Sequence, residues 1–239
     1  MDSPIGRIIA KKDIEVGRVA DKVALVTGVG LPIAAAAARA LADEGARLVV
    51  VDVDRDVAER SAAALGLPEA RLMSRGHERG TEAAWAALVS SIVDRFGRLD
   101  VLVNGPPDLL VKPIRDMTLD DLRVLEEANI VAPWLGMKHA VGAMRESGGG
   151  SIVNLSLGLA RTGASGLSAN CATAAGLRVM SQAVALECGQ NTDGIRVNTV
   201  LVDHVRPPPP AEVAAAVVYL ASDESRFMTA GEIALEPAN

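Results

Sequence analysis

Few stretches of this chain carry residue types that could do chemistry, and the first is Thr27-Gly28-Val29-Gly30-Leu31-Pro32-Ile33-Ala34. It joins a short apolar run to an alanine-rich stretch. Glycines at such a turn let the backbone approach a pyrophosphate, and the N–H groups of the helix that follows donate to it. Asp52 closes the next apolar run. A carboxylate there can take ribose hydroxyls, or it can be a solvent-facing group at a strand end. Two thiols, Cys171 and Cys188, form no metal-type cluster and no disulfide framework. A reactive thiolate needs a base or cation beside it, and Asn170, Ala172, Thr173 and Ala174 offer Cys171 none. Both cysteines therefore read as small buried thiols of a reducing cytoplasm. His77, His139 and His204 are scattered and suggest neither a triad nor a metal site, so surface or capping roles are expected. The one tyrosine is Tyr219, with Asp223 four places on, and no lysine follows Lys138.

The elements that must position these groups alternate. Val23–Thr27 and Leu48–Asp52 read as buried strands, 71–74 as a weak one, and 99–104, 151–155, 195–200 and 232–235 as four more. Helices are expected over 32–44 with proline in the first turn, after the Asp54 cap to Leu65, over 81–96, 167–188 and 211–222. Residues 118–146 read as a helix in two pieces, broken near Asn129–Pro133. Such alternation implies one domain with a parallel sheet covered by helices on both faces. Residues 1–20 read as an N-terminal extension and 21–239 as the domain.

Composition narrows the partners. The chain has 239 residues, 49% of them hydrophobic, which is ample for a core. A net charge of −6 argues against electrostatic binding to nucleic acid or an anionic membrane. Apolar runs are too short to span a bilayer, and Asp2 and Arg7 interrupt any signal-peptide core, so a cytoplasmic protein is expected.

Several stretches resemble the short-chain dehydrogenase/reductase family. They are Lys22–Gly28, Phe96-Gly-Arg-Leu-Asp-Val-Leu-Val-Asn104, Ser151-Ile-Val-Asn-Leu-Ser156, Ala185-Leu-Glu187 with Gly194–Asn198, Val213–Asp223 and Ala230–Leu235. They fall in family order and spacing from about residue 21 to 237. The resemblance implies a single doubly wound Rossmann-type α/β domain with a seven-stranded parallel sheet of order 3-2-1-4-5-6-7, and usually a dimer or tetramer.

It also implies where chemistry would sit. The family's turn is Thr-Gly-x-x-x-Gly-Ile-Gly, so Pro32 and Ala34 replace two glycines here. Gly28, Asp52 and Asn104 are left as the vestiges of a cofactor site. Asn104-Gly-Pro-Pro107 stands where the family has Asn-Asn-Ala-Gly, and the two prolines remove two backbone donors. The family's Ser, Tyr and Lys positions fall on Leu157, Asn170 and Ala174, while its helix asparagine is kept as Asn129. A slip of one residue would bring in Cys171 and Ala175. No register supplies Tyr-x-x-x-Lys, because the only tyrosine is followed by an aspartate. Neither Asn170 nor Ala174 titrates, so a proton relay of that type cannot form. The family's loop after the sixth strand is shortened near 202–211, where Pro207–Pro210 leads straight into the last helix.

These losses lead to the expectation of a subunit that is not an enzyme by itself. It would pair in a heterodimer or heterotetramer with an active relative acting on an alcohol or hydroxyacyl substrate. No cofactor or metal is expected in this chain, and NAD is expected in the partner. Two alternatives stay open: a weak NAD(H)-binding redox regulator, and an enzyme of altered chemistry using Asn129, Ser156 or Cys171.

Overall fold

The computed structural model describes residues 17–236. Seven strands form one sheet: β1 (Val23–Thr27), β2 (Arg47–Asp52), β3 (Leu72–Gly76), β4 (Val101–Asn104), β5 (Gly150–Leu157), β6 (Ile195–Val202) and β7 (Glu232–Leu235). Their order is β3-β2-β1-β4-β5-β6-β7, as the resemblance implies, and every neighbouring pair is parallel, as the alternation also predicts. The helices are α1 (Pro32–Asp43), α2 (Arg55–Leu65), α3 (Glu82–Phe96), α4 (Leu119–Glu126), α5 (Ala132–Glu146), α6 (Ser168–Gln190) and α7 (Pro210–Ala221).

The strands are apolar on both faces because both are covered. From β1, Ala24 and Val26 enter one cluster with α1, α2 and α7, while Val23 and Leu25 enter a second with α3, α5 and α6. Trp85 is the largest fully buried side chain and anchors the second cluster.

Local chemistry sets the element ends. Asp54 caps α2 by accepting from Asp56 and Val57 N–H, and Gly66 closes it in the left-handed conformation. Thr118 and Asp121 form a reciprocal capping box at the start of α4. The break expected near Asn129–Pro133 is instead one π turn, Glu127–Val131, and helical backbone continues through it into α5. Pro133 has no N–H for the carbonyl four residues back, which belongs to Asn129, and its ring crowds that carbonyl. A wider turn relieves both without ending the helix.

Residues 1–16 of the expected N-terminal extension lie outside the described residues. Residues 17–20 pack on the domain: Val19 is fully buried, and Arg18 pairs with Glu224 across 2.6 Å.

The chain reverses its winding direction between β1 and β4. Sheets of this kind open a crevice there, at the carboxyl ends of the strands. No helix among the described residues is long and apolar enough to cross a membrane.

Candidate active site

A pocket of about 210 Å³ occupies that crevice. Thr27 and Gly28 reach it from β1, Val51 to Val53 from β2, Asn104 to Asp108 from β4 and the loop after it, and Asn129 from the π turn. Gly28 adopts φ +69, and a Cβ there would lie 3.9 Å from Gly105 Cα and Pro106 Cδ. Gly105 comes so close that a Cβ there would collide with the Thr27 carbonyl, and its N–H donates to Thr27 Oγ1 at 2.9 Å. Pro32 begins α1 and donates nothing. The N–H groups of Ile33 and Ala34 belong to the same first turn and have no carbonyl inside the helix. The turn therefore keeps part of an anion cradle.

Asp52 stands at the end of β2. Its Oδ2 accepts from Gly30 N–H at 3.0 Å and its Oδ1 from Asp54 N–H at 3.3 Å. Gly30 carries a constraint that the family pattern does not reveal. A Cβ there would lie 2.7 Å from Val57 and 3.1 Å from Asp52 Oδ2. Asn104 turns its amide inward, donating to Asn154 at 2.7 Å, and Asn154 donates on to Ser181.

Leu157, Asn170 and Ala174, the positions that the resemblance assigns to the family's serine, tyrosine and lysine, all lie outside the pocket lining. Leu157 and Ala174 join Leu159, Ala160, Leu167 and Leu201 in a third apolar cluster. Asn170 is fully buried; it donates to the Asp108 carbonyl at 2.9 Å and accepts from Leu110 N–H at 3.2 Å. Asn129, 3% exposed, bonds both the N–H and the carbonyl of Asp108 at 2.8 and 2.9 Å. Ser156 is buried with its hydroxyl unbonded, and Cys171 meets only the Thr162 carbonyl, at 3.7 Å. Of the three residues offered for altered chemistry, Asn129 alone reaches the pocket.

Sequence reading missed two groups. His77 was expected on the surface; it is 7% exposed, lines the pocket and stands edge-on to Trp85 with ring centroids 4.4 Å apart. It follows β3 directly and its N–H bonds the Asp52 carbonyl, so strand pairing drags it inward. Burial lowers its pKa to about 4, which keeps the ring neutral at neutral pH. Arg79 and Asp108 face each other across the mouth at 2.7 Å. They come from different loops, so no sequence spacing links them.

β6 ends at Val202 and α7 begins at Pro210. Asp203 accepts from the N–H groups of Val205 and Arg206, which hold its pKa below the usual carboxylate range. No group of His, Cys, Asp and Glu among the described residues could hold a metal ion.

Known proteins match this arrangement along nearly the whole chain. The family described as short chain dehydrogenase matches residues 22–214. The NADP-dependent (R)-specific alcohol dehydrogenase of Lentilactobacillus kefiri is 30% identical over 92% of this chain and 96% of that protein. The 3-alpha-(or 20-beta)-hydroxysteroid dehydrogenase of Mycobacterium tuberculosis is 34% identical over 92% of this chain and 90% of its own length. A crystal structure of a short chain dehydrogenase from Mycobacterium smegmatis shares 28% of its residues with this chain and covers 93% of it, and 95% of that chain, with a TM-score of 0.87.

These relatives correct the expectation that the chain is not an enzyme by itself. That expectation treated the lack of Tyr-x-x-x-Lys as a lack of activity. The similar proteins are named as dehydrogenases in their own right, which points to an enzyme, and none of them points to an inactive subunit. The polar groups gathered at the strand ends supply the physical reason: a missing relay removes one route for a proton and leaves the crevice itself in place. With its strand order, its crevice and its match over residues 22–214, the chain belongs to the short-chain dehydrogenase/reductase family of oxidoreductases.

Proposed function

We propose that this chain is an adenine-nucleotide-dependent enzyme of the family with altered chemistry, in which proton transfer falls to groups of the pocket rather than to a tyrosine–lysine pair. One observation carries the reading: a single pocket brings Gly28, Asp52 and Asn129 together with the titratable groups Asp108, Arg79 and His77. Asp108 is the group best placed to take a proton, since its carboxylate is part-exposed at the mouth of the pocket. Arg79 holds that carboxylate in position. His77 stays neutral and offers a hydrogen bond rather than a charge.

The nicotinamide dinucleotide that the family implies fits this chain in part. Gly28, the first-turn N–H groups of α1 and the Asp52 carboxylate suit the adenosine and phosphate end. The other end finds Leu157 and Ala174 in an apolar cluster, with no group there to hold a ribose or move a proton. The same cluster favours the second reading, a weak NAD(H)-binding regulator. The names of the relatives support a secondary alcohol or its ketone as the substrate class.

Calorimetric titration with ADP and NAD⁺ tests the nucleotide reading. The expected result is saturable binding at one site, weakened about tenfold by Asp52→Ala, the size of one lost hydrogen-bonding group of about 1.4 kcal/mol. Absence of binding, or binding that Asp52→Ala leaves unchanged, contradicts it.

A further inference from the structure

We infer that Asn129 and Asn170 form a clamp on the loop after β4, and that the clamp ends the pocket at Asp108, so that the pocket holds a dinucleotide by its adenosine-phosphate half alone and leaves the nicotinamide half outside it. The inference rests on the nucleotide reading above.

Four of the six backbone donors between Gly105 and Lys112 have a partner. Positions 106, 107 and 113 are prolines and donate nothing. The N–H of Gly105 goes to Thr27 Oγ1, that of Asp108 to Asn129, that of Leu110 to Asn170 and that of Lys112 to the Gly166 carbonyl. The Asp108 carbonyl takes two donors, one from each buried amide. Asn129 is fixed in turn by Thr173. A buried amide that lost these bonds would stand unsatisfied at a cost of about 1–3 kcal/mol, so the clamp holds the loop in one place. On its outer side Arg79 pairs with the Asp108 side chain.

The consequence is a wall. Pro106, Pro107 and Asp108 line the pocket, whereas Asn170 touches the same loop from behind and does not line it. Dinucleotides lie across the crevice of such a sheet and use both halves of it. Of the strands, β1, β2 and β4 supply the lining at their ends, with Leu155 alone from β5 and nothing from β6. Asn170 touches no ligand. It is a positioning residue, acting through the backbone of Asp108 and Leu110.

The test compares ADP with NAD⁺ on the full chain, and wild type with Asn170→Ala. Wild type is expected to bind NAD⁺ no more tightly than ADP, because the second half gains no contacts. Asn170→Ala should shift the ratio toward NAD⁺ by about fivefold or more, a coupling of about 1 kcal/mol. In the same variant the amides of Asp108 and Leu110 should exchange hydrogen for deuterium about tenfold faster, as a locally opened segment does. A merely structural role would change stability without moving the ratio of the two ligands. If wild type binds NAD⁺ about tenfold more tightly than ADP, the inference is overturned, and that comparison needs no variant to fold. It is also overturned if Asn170→Ala alters neither ratio nor exchange. Failure of both ligands to bind overturns the nucleotide reading and the inference together, which separates that failure from a failure of the clamp alone.

Discussion

At the scale of the residue, the site is a set of close approaches that small side chains permit. Gly105 lies against the Thr27 carbonyl with no room for a Cβ, while the left-handed Gly28 faces it from the other side of the crevice. Gly105→Ala must push the loop after β4 away from β1. Overpacking of this kind costs about 1–3 kcal/mol, and the loss of stability should appear in urea titration with an unchanged slope. Nucleotide binding should weaken alongside it, since the displaced loop carries Pro106, Pro107 and Asp108 of the pocket wall. The same scale separates the two asparagines that sequence reading grouped with the lost relay. Asn129 and Asn170 are spent on backbone groups of the loop, so they hold a shape rather than move a proton.

At the scale of the element, most of the fold was legible in the sequence. Apolar β-branched runs marked the strands, and Pro32 and Asp54 marked helix starts with a local mechanism at each. The family resemblance supplied the strand order, which local pattern alone does not fix. The π turn was not legible. Pro133 signals a disturbance, but neighbouring packing decides whether a helix stops or widens, and here Leu135 and Met137 keep α5 in the second cluster. The candidate site was legible only in part, for a related reason. Gly28, Asp52 and Asn104 each sit at a strand end, where the pattern places them. His77, Arg79 and Asp108 depend on how three loops meet above the sheet, which no spacing records. The resemblance put Leu157 and Ala174 at the family's serine and lysine positions; the fold holds them in the third apolar cluster, outside the pocket lining, and reading them as proof of an inert chain went beyond what a missing relay can establish.

At the scale of the whole molecule, the buried histidine links the site to acid stability. In the unfolded chain His77 takes up its proton near pH 6.5, whereas burial keeps it neutral in the fold down to about pH 4. Between those values the unfolded state binds more protons, so stability is fully present above pH 6.5 and is lost as pH falls toward 4. The full contribution is about 3 kcal/mol, since each pH unit between the two values is worth about 1.4 kcal/mol. The chain should melt at a lower temperature at about pH 4.5 than at pH ~7, and His77→Gln should flatten that dependence. An equally steep loss in His77→Gln would place its cause elsewhere. Asp121, held at about 2 beside Lys112, loses its contribution as pH falls through the unfolded carboxylate range near 3.8, mostly below this window.

Turnover by the purified full chain decides whether this is an enzyme without the tyrosine–lysine pair. Secondary alcohols and their ketones should be offered with NAD(H) and NADP(H) to wild type, Tyr219→Phe and Asp108→Asn. Tyr219 packs beside the α1–α7 cluster, away from the pocket. The expected result is measurable turnover that Tyr219→Phe leaves unchanged and Asp108→Asn lowers by about a hundredfold, the scale of a lost general base. No turnover in any combination, or turnover indifferent to Asp108→Asn, would contradict it.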